Sequence, residues 1–314
     1  MSLTVVGSLA YDAVKTPFGE RERMLGGAAT HFALAASFFD EVRPVGPVGE
    51  DFDEQSFATL RTRGTVTDDV EVVAGGKTFF WSGVYSSNLN ERETLVTDLN
   101  VFESFEPKLS QASKDADVLF LANIQPDLQL NVREQCTRAR FVAMDSMNLW
   151  IDIANASLKK VIGTVDCLIL NDEELEQLTG KPTLQQAAHE VLNWGPTAPK
   201  AVVAKLGKYG AALFTADDFF ALPAYPLAEV IDPTGAGDTF AGGFVGYVAA
   251  HPDEAIDHAL LSRAMAYGTA LASYNVEEFG TERVERLTAD EVQARVADLQ
   301  RMTAFTVDPV ALRA

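Results

Sequence analysis

Short apolar runs alternate along this chain with segments whose apolar residues recur at helical spacing. The runs "LTVVG" (3–7), "DVLFLA" (117–122), "RFVAMD" (140–145), "DCLILN" (166–171) and "AVVAKLG" (201–207) read as strands. Their apolar character is nearly continuous, which suits strands buried on both faces of a parallel sheet. Segments 28–39, 127–138, 172–179 and 184–194 read as helices; Phe32, Ala35, Ala36 and Phe39 share one face of the first. The alternation predicts an α/β fold, a doubly wound and mostly parallel sheet, in one domain spanning 1–314. From about residue 288 one more amphipathic helix and a short tail are expected.

Residues 70–105 interrupt this pattern. "KTFFWSGVY" and "ETLVTDL" are strand-like pieces joined by the turn-prone "SSNLNER". The expectation is an antiparallel β-ribbon standing off the main sheet. Its Phe79, Phe80, Trp81 and Tyr85 should cover something, either a ligand or a second copy of the chain in a homodimer.

Charge narrows the partners. The chain carries 45 acids against 25 Lys plus Arg, a formal net charge of −20. Such a surface repels phosphate backbones and anionic headgroups, so nucleic acid and membranes are not expected partners. Solubility, or life in high salt, accounts for the acidity. Cys136 and Cys167 form no C-x-x-C pair and lie in apolar segments, which fits free thiols in a reducing cytoplasm. The N-terminus has no basic, apolar leader pattern.

The stretch "VIDPTGAGDTFAGGF" (230–244) carries the chemistry. Residues 228–231 look strand-like and 238–250 helix-like, with the turn between them. Gly235, Ala236, Gly237 and Asp238 then fall around the first helical turn. Free N–H groups point outward there and the helix dipole adds positive character, which makes an anion site. No Lys follows the glycines as a P-loop requires, and Phe240 stands where a dinucleotide fingerprint needs its third glycine. The distinctive group is Asp238, a carboxylate inside an anion cradle. It makes sense as a base that takes a hydroxyl proton while the amides stabilise a transferring phosphoryl group.

"DPTGAGDTFAGGF" resembles the C-terminal signature of the ribokinase/PfkB family of carbohydrate and nucleoside kinases. Other landmarks in the same order extend the resemblance over nearly the whole chain. It implies a ribokinase-like fold with a small β-ribbon lid, formed by about 12–25 and 70–105. It implies Asp238 as catalytic base, with the amides of Gly235, Ala236 and Gly237 as anion hole. "GSLAYD" places Asp12 where the family holds substrate hydroxyls, and a carboxylate can accept two at once. "LGGAATH" resembles the family's di-glycine motif at Gly26 and Gly27, near the substrate. The sugar-kinase pattern often carries Asn where Ala10 and His31 stand here, so His31 becomes a candidate substrate contact and ribose itself is disfavoured.

"NDEEL" resembles the family's N-x-x-E element, with Asn171 near the triphosphate and Glu174 organising water around Mg²⁺. The same residues also read as a helix cap. "AKLGKYG" resembles the nucleotide-binding strand and turn, with Gly207 and Gly210 in the turn and Lys205 neutralising phosphate. Asp232 and Gly280 lie where potassium-activated members hold a monovalent cation such as K⁺. Asn123 and Asp145 end their strands and face the same crevice. Asn123 is a candidate substrate contact and Asp145 a neighbour of the metal. The implied activity is ATP-dependent phosphorylation of a hydroxymethyl group on a small sugar or sugar-like substrate. A nucleoside is the alternative acceptor, whose base could stack on the aromatic ribbon. A non-catalytic sugar or nucleotide sensor is the alternative of another class.

Overall fold

The computed structural model describes residues 2–89, 92–307 and 310. Thirteen strands form two sheets among these residues. In chain order they are β1 (Ser2–Val6), β2 (Ala10–Thr16), β3 (Gly19–Gly26), β4 (Glu41–Gly49), β5 (Val70–Val73), β6 (Phe79–Tyr85) and β7 (Arg92–Asp98). Then follow β8 (Val118–Leu121), β9 (Phe141–Asp145), β10 (Cys167–Asn171), β11 (Ala201–Lys205), β12 (Ala211–Thr215) and β13 (Phe219–Leu222). The main sheet runs β13-β12-β11-β10-β9-β8-β1-β4-β5. Its pairings are parallel except β11–β12 and β12–β13.

Alternation inside each strand explains the two helical layers. Leu3, Val5, Phe120, Ala143 and Ile169 face a core shared with helices Ala28–Ala36, Ala236–Ala249 and His258–Asn275. Val6, Leu119, Leu121, Met144 and Leu170 face the opposite core, against helices Pro126–Gln135, Asn155–Ile162, Asp172–Thr179 and Leu184–Leu192. A sheet apolar on both faces must be covered on both, and the crossover helices do this. The expected doubly wound sheet is therefore present. Both cysteines are buried free thiols. Among the described residues no helix is long and apolar enough to cross a membrane.

Several local expectations are corrected. Strand β4, "EVRPVGPVG", carries no simple strand pattern because of Pro44 and Pro47. It pairs with β1 through Glu41–Val45 and with β5 through Gly46–Gly49. Each proline thus has a flank with no ladder to break. Segment 228–231 is not a strand: Ile231 N donates to Val276 O at 2.8 Å, so the segment leans on a helix end rather than a sheet. Helix Ala236–Ala249 starts two residues earlier than the spacing suggests.

The ribbon is also larger and placed differently. β5 belongs to the main sheet, while β6 and β7 pair antiparallel within a second sheet ordered β3-β2-β6-β7. β2 joins it through parallel pairing with β6 and antiparallel pairing with β3. The standing-off sheet thus comprises 10–26 and 79–98; residues 90 and 91 of its expected turn lie outside the described residues.

Candidate active site

The carboxyl ends of β1, β8, β9, β10 and β11 converge on one crevice, capped by the start of helix Ala236–Ala249. Gly235 is the cap of that helix at φ 73°, a left-handed conformation that glycine adopts without a Cβ clash. A Cβ there would also stand 2.3 Å from the His31 ring. The first ladder bond is Thr239 N to Gly235 O at 2.8 Å, and Ala236 N turns back to Pro233 O at 3.3 Å. Among the described residues the N–H groups of Gly235 and Gly237 meet no protein acceptor. These orphan donors are what an anion at a helix N-terminus would use.

A buried scaffold fixes this turn. Asp232, fully buried, accepts from Thr234 N and Gly280 N, both at 2.9 Å. Asn275 donates to Thr234 O at 2.8 Å and accepts from Thr239 Oγ1 at 3.0 Å. Its Oδ1 also lies 3.2 Å from His31 Nδ1, which fixes Nδ1 as the protonated nitrogen. Burial pushes His31 down to about 4, so the ring is neutral, and its buried Nε2 has no partner among the described residues. Asn275 had no signal in the sequence beyond being a polar residue ending the apolar run "GTALASY".

Asp238 lies in the first helical turn, and burial, then the charge of Asp145, pushes its carboxyl up to about 7. Lys205, ending β11, donates to Asp145 Oδ2 at 2.9 Å. Burial opposes the Lys205 charge, but Asp145, Glu174 and Asp238 offset this and hold its pKa above the usual value. Its Nζ lies 3.1 Å from where a methyl on Gly237 would stand, so the ammonium sits under the cradle. Asn171 and Glu174 form a complete capping box: Asn171 Oδ1 accepts from Glu174 N at 2.7 Å and Glu174 Oε2 from Asn171 N at 2.9 Å. Burial raises the Glu174 pKa, opposed by Lys205. Lys205→Met would leave Asp145 buried without its counter-charge, and a loss of about 3 kcal/mol is expected on chemical denaturation. Adding Asp145→Asn should recover part of that loss; a single variant as stable as the parent would contradict the pairing.

At the other end of the crevice stands Asp12, on β2. A Cβ on Gly26 would fall 2.1 Å from Asp12 Oδ2, so glycine here is a matter of room. The Gly27 amide bonds the carboxylate. Burial, then the charges of Asp232 and Asp238, still push Asp12 up to about 7. Its raised pKa stabilises the fold below the unfolded value near 3.8, and that contribution is lost as pH rises through about 7. Asp12→Asn should therefore melt higher than the parent at pH 8, by about 2 °C or more. The gap should close toward pH 4. Equal differences at both pH values would speak against it.

Asn123 lies just beyond β8, its Oδ1 accepting from Trp150 Nε1 at 3.0 Å. Gly207 and Gly210 line a cleft of about 520 Å³ with Pro226, Val230, Ala236 and Phe240, adjoining the helix start. Asn88 and Leu89 of the second sheet also line it. The aromatic ribbon is not an open stacking platform: Phe79 stacks on Phe102 at 5.8 Å and Phe80 packs on the core. Trp81 instead lies under the Arg92 guanidinium, and Tyr85 Oη is 3.2 Å from Thr234 Oγ1. Arg92 escaped sequence reasoning because one arginine in a polar turn carries no pattern.

A model of the pfkB family carbohydrate kinases matches residues 2–286. The cytidine kinase of Thermococcus kodakarensis is 29% identical over 273 residues, covering 84% of this chain and 95% of that protein. The nucleoside kinase of Methanothermobacter thermautotrophicus is 25% identical over 309 residues, covering 91% and 96%. The solved structure of Burkholderia thailandensis nucleoside kinase in complex with ADP-inosine superposes with a TM-score of 0.75 at 18% identity, covering 99% of each chain.

Proposed function

The chain belongs to the pfkB family of carbohydrate kinases, and from that premise we propose that it transfers the γ-phosphate of ATP to the hydroxymethyl group of a nucleoside. The observation that carries the chemistry is Asp238, a half-buried carboxyl in the first turn of a helix whose Gly235 and Gly237 amides meet no protein acceptor among the described residues. A group poised near neutral pH is suited to take a proton and release it each cycle. A nucleoside is favoured over a free sugar because a cytidine kinase at 29% identity and a nucleoside kinase at 25% match more strongly than the ribokinase of Lactococcus lactis, which aligns over 95% of the chain at 22%. Ala10 and His31, where sugar kinases often carry Asn, point the same way.

In this reading Asp12, the Gly26–Gly27 turn and Asn123 bind the acceptor. The neutral His31 offers its unpartnered Nε2 as acceptor for a hydroxyl proton. Gly207 and Gly210 border the nucleotide cleft, while Asn171 and Lys205 face the triphosphate. Asp238 receives the hydroxyl proton as the oxygen attacks, and the amides of Gly235 and Gly237 stabilise the phosphoryl oxygens. The second sheet acts as the lid, excluding water that would otherwise accept the phosphoryl group.

Among the described residues no three His, Cys, Asp or Glu side chains are grouped to bind a metal directly. Glu174 and Asp145 nevertheless offer hard oxygens: Glu174 Oε2 accepts from Asn171 N, while Asp145 accepts from Ser146 N on Oδ1 and from Lys205 on Oδ2. That suits Mg²⁺ held through water and phosphate oxygens, where it would neutralise phosphate charge. Asp232 braces the cradle through two amides, and main-chain oxygens beside it are the place for K⁺. Phe18, Leu95 and Val96 are exposed on the second sheet, and a homodimer through that sheet belongs to the same proposal.

The test is substrate-dependent ADP release with cytidine, inosine, other nucleosides, pentoses and hexoses, at low and high KCl. Turnover with a nucleoside at least tenfold above every free sugar, in kcat/KM, is the expected result. A best substrate among the sugars would return the acceptor to that class. Binding of nucleosides with no ADP release from any acceptor would make the protein a sensor.

A further inference from the structure

We propose that Arg92, on β7 of the second sheet, is a catalytic residue whose guanidinium contacts the phosphoryl group in transit. This rests on the phosphoryl-transfer reading above and goes beyond it, by naming a group that arrives with the second sheet.

The placement follows from register. Tyr85 and Arg92 are directly opposite each other across the antiparallel β6–β7 pair, so their side chains leave the same face. That face is fixed over the cradle by Tyr85 Oη, 3.2 Å from Thr234 Oγ1 and one residue before the cap glycine. The Arg92 guanidinium lies 5.1 Å from the centre of the Trp81 ring, and Trp81 pairs in register with Asp12. Arg92 is thus held between the acceptor carboxylate and the helix start. Its charge lowers the pKa of Asp12 on the acceptor side and of Glu174 on the nucleotide side. The gap that borders both is the path of the phosphoryl group.

The chemistry calls for a cation there. Asp12, Asp145, Glu174, Asp232 and Asp238 surround the crevice, and Lys205 is committed to Asp145. The other cations of the second sheet are tied away from it: Lys15 to Glu20, Arg21 to Glu282 and Arg23 to Asp51. In the transfer step a bond forms from the acceptor oxygen to the γ-phosphorus, and the bond from that phosphorus to the β,γ-bridging oxygen breaks. The electron pair leaves on ADP, the hydroxyl proton goes to Asp238, and Arg92 keeps its own. The equatorial oxygens carry charge throughout, and a planar guanidinium matches two of them at once. Because Arg92 rides on the second sheet, this contact is completed only in the closed state, which favours the transition state over the bound ground state.

The experiment compares the parent, Arg92→Ala, Arg92→Lys and Asp238→Asn in ADP release with the best acceptor. Arg92→Ala is expected to lower kcat by about tenfold to a hundredfold, the scale for a lost hydrogen bond to a charged group. Both KM values should stay within about threefold, the pattern of an interaction made in the transition state. Millimolar guanidinium chloride should restore part of the Arg92→Ala turnover and none of that of Asp238→Asn, while Arg92→Lys stays impaired. Arg92 is exposed, so the melting temperature should hold. Full-speed turnover by Arg92→Ala beside an inactive Asp238→Asn overturns this proposal and leaves the kinase reading standing. So does a change confined to KM, or a kcat loss that guanidinium leaves untouched. A parent that releases no ADP with any acceptor overturns the kinase reading, and this proposal with it.

Discussion

Asp238→Asn is expected to lower kcat by about 10²-fold or more, the scale for losing a general base. The variant keeps the size and the hydrogen-bonding oxygen of the side chain but cannot take the acceptor's proton. It should remain folded, and it should melt higher than the parent at pH 8. Burial holds the native carboxyl near pKa 7, so above that pH the fold must carry an unfavourable charge that asparagine lacks. Steady-state ADP release and a thermal melt on the same sample check both parts. The pH profile of the parent adds a third check: kcat/KM should rise through about pH 7 as the base loses its proton. Near-normal turnover in the variant would remove Asp238 from the reaction.

Gly235→Ala should be the next most damaging change. The new Cβ must adopt φ 73° and would lie 2.3 Å from the His31 ring. His31 cannot readily yield, since Nδ1 is tied to Asn275 and the residue is buried. Backbone strain and overpacking together should cost about 3 kcal/mol in denaturation. Displacement of the cradle should lower kcat by about 10²-fold, comparable to losing an oxyanion donor. The double variant with His31→Ala separates the two effects. Relief of the clash should return part of the stability, while the positive φ remains unfavourable for alanine. Equal stability of Gly235→Ala and parent would mean that the ring and the cap are not packed as described.

The acidic surface and the buried acids are different matters. Exposed pairs such as Arg138–Asp115 and Lys200–Asp166 contribute little to stability, so salt should change them weakly. The crevice acids are enclosed, and there a single cation or proton changes the balance.

The strands β1, β8, β9, β10 and β11 were legible because each is a short apolar run buried on both faces. The helix Asp172–Thr179 matched its expected bounds because its capping box is written in four residues. β4 was hidden by its prolines, and the second sheet was only half visible. "KTFFWSGVY" announces a strand, but nothing local shows that β2 will lie parallel beside it. The apparent strand at 228–231 failed for the converse reason: "AEVI" looks strand-like by itself, but it joins neither sheet and Ile231 bonds to a helix end instead.

What the sequence alone determined is the fold class, the doubly wound order and the glycine-rich cradle with its acid, since these depend on periodicity and near neighbours in the chain. Only the tertiary structure decided what surrounds that acid. Asn275 bracing the turn and holding His31, His31 packed beneath Gly235, Lys205 paired with Asp145 and the charge of Arg92 acting on Asp12 join residues 36 to 244 positions apart. The physical reason is that burial and Coulomb fields depend on distance in space, so pKa values and free donors are set by packing that no local pattern encodes.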